Sequence, residues 1–231
     1  MDQHENSEDR RAALMAALRG ATPSGRLQAA LLAGTEPDPG LLATLIERCG
    51  VEPDFFVRET LTWALIQLPR TLVVPALRRQ LDAPLPQARS QALHTLSKLV
   101  VPQAWAWVFP SLVNDPDDEV ARTAWRVAVG VVPRGEEAHL TGTLLRHLGR
   151  GDADVKKSLS RALIELALLD ESLEPALIRA RDTLRAEQRA HAGATLTLLA
   201  DPGASFDGAY ADARRNAGLA PLPGGASPTP R

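Results

Sequence analysis

Histidine, cysteine and carboxylate side chains carry most metal and nucleophile chemistry, and in this chain they are scattered. The five histidines stand at positions 4, 94, 139, 147 and 191, and the one cysteine at 49. His139 and His147 are eight apart, two helical turns, too far to share a metal without a third ligand. A lone cysteine supplies neither a zinc set nor an internal disulfide, and the expected state of Cys49 is a small buried apolar residue. Asp115, Asp117, Asp118 and Glu119 look superficially like part of a calcium loop. They lack the glycine and terminal glutamate of an EF-hand, and capping of a helix N-terminus explains them better. His94 follows Ser90 by four residues, a helical pair rather than a catalytic dyad, because no acidic third member is expected beside it. Phosphate-loop, nucleophile-elbow and Walker patterns are absent. The expectation is therefore no catalytic residue, no metal and no cofactor.

The elements that position these residues recur. One helical pattern returns six times, with an apolar or small residue first, a basic residue next, and small or apolar residues at +4, +7, +8 and +11. It reads Val57, Arg58, Leu61, Ala64, Leu65, Leu68 in one copy and Val155, Lys156, Leu159, Ala162, Leu163, Leu166 in another. Looser copies start at Gly25, Ala88, Val120 and Gln188, giving intervals of 32, 31, 32, 35 and 33 residues. A fixed period of this size marks stacked supersecondary units rather than one central core. Each copy is preceded by a second amphipathic stripe. These stripes are Leu14, Ala17, Leu18; Leu41, Leu42, Leu45, Ile46, Cys49; Leu72, Ala76, Leu77; Ala104, Val108, Leu112; Leu140, Leu144, Leu148; and Ala176, Ala180, Leu184. Two helices per repeat follow. Small residues at +4 and +7, Ala92, Ala124, Ala162 and Ala192, would let paired helices approach closely. Thr22 and Asp115, each before a proline, suit N-caps.

With Asp54-Phe-Phe-Val57-Arg58-Glu-Thr-Leu61, Asp117-Asp118-Glu-Val120 and Asp154-Val155-Lys156 opening the second helices, the chain resembles the HEAT-repeat superfamily in its short, HEAT-like form, the kind also found in bilin lyases. The resemblance covers residues 7–200 and implies an all-α, right-handed α-α superhelix of about six helical pairs, with the second helices on the concave face. It also implies a structural ladder of the +1 bases Arg26, Arg58, Arg89, Lys156 and Arg189 pairing with the Asp that precedes the second helix, in the same or an adjacent repeat. Asp54 with Arg58 and Asp152 with Lys156 have the i, i+4 spacing for such pairs. Residues 201–231 read as a capping segment and Pro/Gly-rich tail, with Phe206 and Tyr210 covering the last repeat and disorder beyond about Leu219.

If +0, +4, +7, +8 and +11 are buried, then +2, +5 and +6 project outward. Those positions give Glu59, Thr62, Trp63; Ser90, Leu93, His94; Arg122, Trp125, Arg126; and Lys157, Ser160, Arg161. Between Val120 and Arg161 the local net charge is +4 in a chain that totals −2. The whole molecule is thus no general polyanion binder, and any anion site must be local. The partner-binding set expected is Glu59, Thr62, Trp63, Ser90, His94, Arg122, Trp125, Arg126, Lys157 and Arg161. Against it stands the plainer arrangement in which Trp63 and Trp125 tuck sideways against a neighbouring repeat. Trp105 and Trp107, on a first helix, read as packing residues, one in the core and the other partly exposed.

Two functions follow. The first is a non-enzymatic scaffold or regulatory subunit holding a protein partner. The second is a DNA-binding protein similar to the HEAT-like alkylpurine DNA glycosylases of the AlkD type, with Trp63, Trp125, Arg122, Arg126, Lys157 and Arg161 serving aromatic and phosphate contacts. Against the second, the net charge is negative and no Asp falls on the strip. No apolar run approaches the ~20 residues that span a bilayer, and the acidic N-terminus carries no leader pattern. A cytoplasmic location is expected, with no membrane partner.

Overall fold

A computed structural model describes residues 2–220, with side chains from Ser7 onward; the tail expected to be disordered falls chiefly on residues 221–231, outside the described residues. Among the described residues the chain is all-α, with thirteen α-helices and no strand. None of these helices is long and apolar enough to cross a membrane. The chain divides after Val131 into two compact units.

Unit 1 holds α1 (Asp2–Leu18), α2 (Pro23–Thr35), α3 (Leu42–Val51), α4 (Phe55–Gln67), α5 (Arg70–Gln80), α6 (Pro86–Leu99), α7 (Trp105–Val108) and α8 (Asp118–Val131). The even-numbered helices are the second helices of the first four repeats, and they pack in succession, α2 on α4, α4 on α6, α6 on α8. Each also packs on a first helix. Thr22 caps α2, accepting from the Gly25 N–H with Pro23 next, and Asp54 caps α4 through the Val57 N–H.

The first helices depart from the sequence stripes in three places. In α5 Val73, not Leu72, joins Ala76 and Leu77 in the core, while Leu72 is 44% exposed. In α1 Leu18 is buried but Ala17 is exposed. The fourth first helix is reduced to the single turn α7 between two 3₁₀ turns. Proline at 102 and 110 brackets it: each lacks an N–H, and Phe109 before Pro110 is extended. Trp105 and Trp107 are both half-buried rather than one being core. Trp105 stacks on Phe109 with centroids 4.4 Å apart, and Arg78 lies over the Trp107 ring.

Unit 2 holds α9 (Glu137–Leu145), α10 (Ala153–Ala167), α11 (Leu173–Thr183), α12 (Ala186–Ala200) and α13 (Phe206–Asn216). Leu140, Leu144, Leu159, Leu163, Leu173 and Leu177 form much of its core. In α11 the buried register is Leu173, Leu177, Ala180, whereas Leu184 is 38% exposed. Helix α13 packs on α12, where Phe206 and Tyr210 stack and bury against Ala190 and Ala194. Apolar surface of the last repeat is thereby removed from water.

Candidate functional site

The basic ladder exists, with a different pairing rule. Arg26 makes a two-pronged ion pair with Glu52 of the following repeat, both contacts 2.7 Å, and donates to the carbonyls of Gly20 and Ala21. Arg89 pairs the same way with Asp115, at 3.1 Å twice, and donates to Ala83 and Pro84. Both acids stand five residues before +0 of the next second helix. Among the described residues Asp54 and Arg58 form no ion pair. Asp54 and Asp152 are occupied as N-caps, so Arg58 turns to the carbonyls of Glu52 and Pro53, and Lys156 to that of Gly151. Asp115 is likewise no N-cap. Asp117 fills that role for α8, accepting from the Glu119 and Val120 N–H groups. The +1 cations are thus consumed inside the fold, and none recognises a ligand through these contacts.

Glu52 is the centre of this arrangement. Fully buried, it meets Arg26, Arg48 at 2.8 Å and the Asp54 N–H at 3.1 Å. Burial works to raise its pKa, but the two guanidinium groups and the backbone donor outweigh that and hold it at about 2.

Of the residues expected to project outward, those at +5 do not. Thr62, Leu93, Trp125 and Ser160 are all buried, as is Ser90 at +2. The reason is geometric. Position +5 lies about 140° around the helix from +0, on the flank that meets the neighbouring second helix. Stacking on both sides therefore widens the buried arc beyond a single stripe. Trp125 is fully enclosed, and its indole N–H donates to the Val113 carbonyl at 3.0 Å. The Ser90 hydroxyl meets Thr123 Oγ1 at 3.2 Å rather than His94. Cys49 is buried, and its pKa is pushed up to about 12, chiefly by that burial, so it is no nucleophile.

What remains open in unit 1 is the line of +6 positions on successive second helices: Leu31, Trp63, His94 and Arg126. Leu31 is 46% exposed, Trp63 and His94 are half-buried, and Arg126 is exposed. Glu59 and Arg122 at +2 flank the line, both half-buried. Trp63 leans on α2, where its ring covers Gly34. A Cβ there would sit 2.1 Å from the Trp63 Cζ3. We expect Gly34→Ala to displace the indole and to cost about 1–3 kcal/mol by overpacking, read as a lower urea midpoint with a shifted tryptophan emission.

An acid does stand beside His94, contrary to the sequence expectation: Glu59 of α4 brings Oε1 within 3.0 Å of His94 Nε2, without hydrogen-bond alignment. Burial lowers the His94 pKa; Glu59 opposes this, and the positive charges of Arg126 and Lys98 add to it. The ring is therefore neutral at pH 7. Arg122 is engaged by Glu119 at 2.9 Å. Among the described residues Arg126 and Lys98, both exposed, take part in no ion pair or side-chain hydrogen bond. Lys98 is missed by a reading of +2, +5 and +6, although +10 lies only about 40° from +6.

In unit 2, Lys157 is half-buried and Arg161 exposed. The group that sequence reasoning passed over is His191. It is fully buried, with Nδ1 accepting from the Gly149 N–H at 3.0 Å and Nε2 lying 3.0 Å from the Lys156 carbonyl and 3.1 Å from Ser160 Oγ. Nδ1 accepts, so the proton is on Nε2 and the ring cannot take one from Ser160. This is a packing network rather than a catalytic pair. An opening of ≈ 690 Å³ lies among α11, α12 and α13. Two of its arginines are occupied, Arg181 by Asp182 and Arg189 by the Ala217 carbonyl.

A second opening in unit 1, of ≈ 640 Å³, lies between α3 and α5 and is lined by Leu42, Ile46, Val51 and Leu85 among others. No three histidine, cysteine or carboxylate side chains among the described residues converge on a metal position. Set against family models and against curated proteins, the chain matches none.

Proposed function

We propose that this chain is a short HEAT-like repeat protein that acts as a non-enzymatic scaffold or regulatory subunit, holding a protein partner on the exposed second-helix face of unit 1. The observation that carries the reading is one line of second-helix positions that presents a half-exposed Trp63 at one end and Arg126, with Lys98, at the other, cations that form no ion pair among the described residues. Aromatic and arginine side chains at the centre of a face are the residue types that dominate binding energy at protein interfaces. Thr62, Ser90 and Trp125 leave the expected binding set because they are buried. Glu59, Trp63, His94, Arg122 and Arg126 stay in it. With Trp125 enclosed, the DNA-glycosylase alternative loses one of the two tryptophans it would use against a base.

The test is affinity capture from the native lysate with the wild-type chain and with Trp63→Ala/Arg126→Ala. The expected result is one protein retained by the wild type and lost with the variant while helicity is unchanged. Equal retention by both would refute this face.

A further inference from the structure

We infer that the face takes an acidic peptide segment carrying an apolar anchor, with the anchor on Trp63 and Leu31 and the acids on Arg126 and Lys98; this rests on the scaffold reading above.

The face is graded rather than uniform. At the α2 and α4 end it is apolar: Leu31 is 46% exposed, Leu27 is half-buried, and one edge of the Trp63 ring packs against Gly34. Gly34 is what lets the indole lie against α2, so one edge of the ring is held and the rest is offered outward. At the α6 and α8 end it is cationic: Lys98 and Arg126 are exposed, and both act on the same imidazole, His94, which lies between the two ends. Among the described residues Arg126 forms no ion pair: Glu119 is taken by Arg122 and Glu59 faces His94. Two unneutralised cations close together repel each other and are relieved by an incoming carboxylate. Among the described residues neither cation forms an ion pair, Glu59 standing at His94 on the α4 side, and charge complementarity therefore selects an acidic occupant at the α6 and α8 end.

Spacing sets the length. Successive packed helices lie roughly 8–10 Å apart, so Trp63 on α4 and Arg126 on α8 are about 16–20 Å apart. An extended chain advances about 3.3 Å per residue. The occupant thus has its apolar residue roughly five or six positions from its acidic pair. His94, neutral at pH 7, lies beneath the middle of this span and imposes no charge on it.

The probe is a random dodecapeptide display library selected on the immobilised full chain, with counterselection on Lys98→Glu/Arg126→Glu. Both are exposed positions whose exchange leaves the packing untouched. The expected result is enrichment of peptides with net negative charge and an aromatic or branched apolar residue five or six positions from an Asp or Glu pair. Synthesised hits should bind at least about tenfold more weakly to Lys98→Glu/Arg126→Glu, and more weakly at high salt. They should also bind more weakly to Trp63→Ala, with Trp63→Phe retaining more because it keeps a ring.

Hits that depend on Trp63 but carry no acidic bias would overturn the acidic chemistry and leave the scaffold face standing. Hits indifferent to Trp63, Lys98 and Arg126, but lost with Val51→Asp/Leu85→Asp in the α3–α5 opening, would overturn both. A single-stranded oligonucleotide competing better than the acidic hits would also overturn the proposal, as would a library that enriches nothing.

Discussion

Glu52→Ala is expected to remove about 3–5 kcal/mol of stability, because it leaves two guanidinium groups, Arg26 and Arg48, buried without their counter-charge. Domains of ordinary stability have about 5–15 kcal/mol in total, so the variant should stand at the edge of folding. Chemical denaturation followed by circular dichroism measures it. Asp54→Ala is the natural control, since it removes only an N-cap, worth about 1 kcal/mol. The double variant Arg26→Ala/Glu52→Ala should cost less than the sum of the singles, because removing both partners leaves fewer orphaned charges. A loss below about 1 kcal/mol for Glu52→Ala would show that the carboxylate is no hub. The acid limb of the same contribution follows from its depressed pKa. It is complete above about 4.5, the ordinary glutamate value, and is lost as pH falls to about 2.

The second large effect belongs to unit 2 and comes at milder acidity. Burial first, and the nearby Lys156 charge, lower His191 from 6.5 to about 4, against the Lys156 carbonyl, which raises it. The unfolded chain takes up the proton near 6.5, whereas the folded one refuses it until about 4. Stability from the neutral ring is therefore full above pH 6.5 and falls as pH drops towards 4. The difference is worth about 3 kcal/mol. His147, lowered to about 4 by burial and by Arg150 and Arg146, acts in the same direction over the same range. His191→Gln should be less stable at pH 7.5, having lost the fitted ring, yet should show a flatter decline from pH 6.5 to 4. A variant with an unchanged slope would mean that His191 is not the proton-refusing group.

The fold was legible in the sequence to the level of the repeat. Its period, the two helices per copy and the burial of +4 and of most +0, +7 and +8 positions follow from apolar spacing alone, because that spacing records which side of a helix avoids water; Gly25 and Leu32, at +0 and +7 of the first copy, are exposed. What spacing does not record is how many neighbours a helix has. Thr62 and Ser160 are polar, and Trp125 is amphipathic, so a stripe count places them outside. In the fold the Trp125 indole meets the Val113 carbonyl and the Ser160 hydroxyl meets Thr195. Breakage of the fourth first helix was readable from Pro110, which falls inside the Ala104, Val108, Leu112 stripe, and from Pro102 just before it. The ladder's true partners were harder to read. Arg26 and Glu52 are 26 residues apart, and choosing Glu52 over the nearer Asp54 requires knowing that Asp54 caps α4. The candidate face was half legible: Trp63, His94 and Arg126 by register, Lys98 only once the helices were side by side.

The two charged clamps in unit 1 do not run continuously. One joins the first repeat to the second through Arg26 and Glu52, the other joins the third to the fourth through Arg89 and Asp115. Between the second and third the bridge is uncharged, with the Gln87 amide donating to the carbonyls of Cys49 and Glu52. The array is therefore divisible in twos and not in ones. Excising the first repeat alone would deprive a fully buried carboxylate of its bidentate guanidinium, whereas excising the first two together severs no buried ion pair. Within unit 1, loss of the first two or the last two repeats would keep the remaining clamp closed, whereas loss of any one repeat would leave an unmatched charge inside.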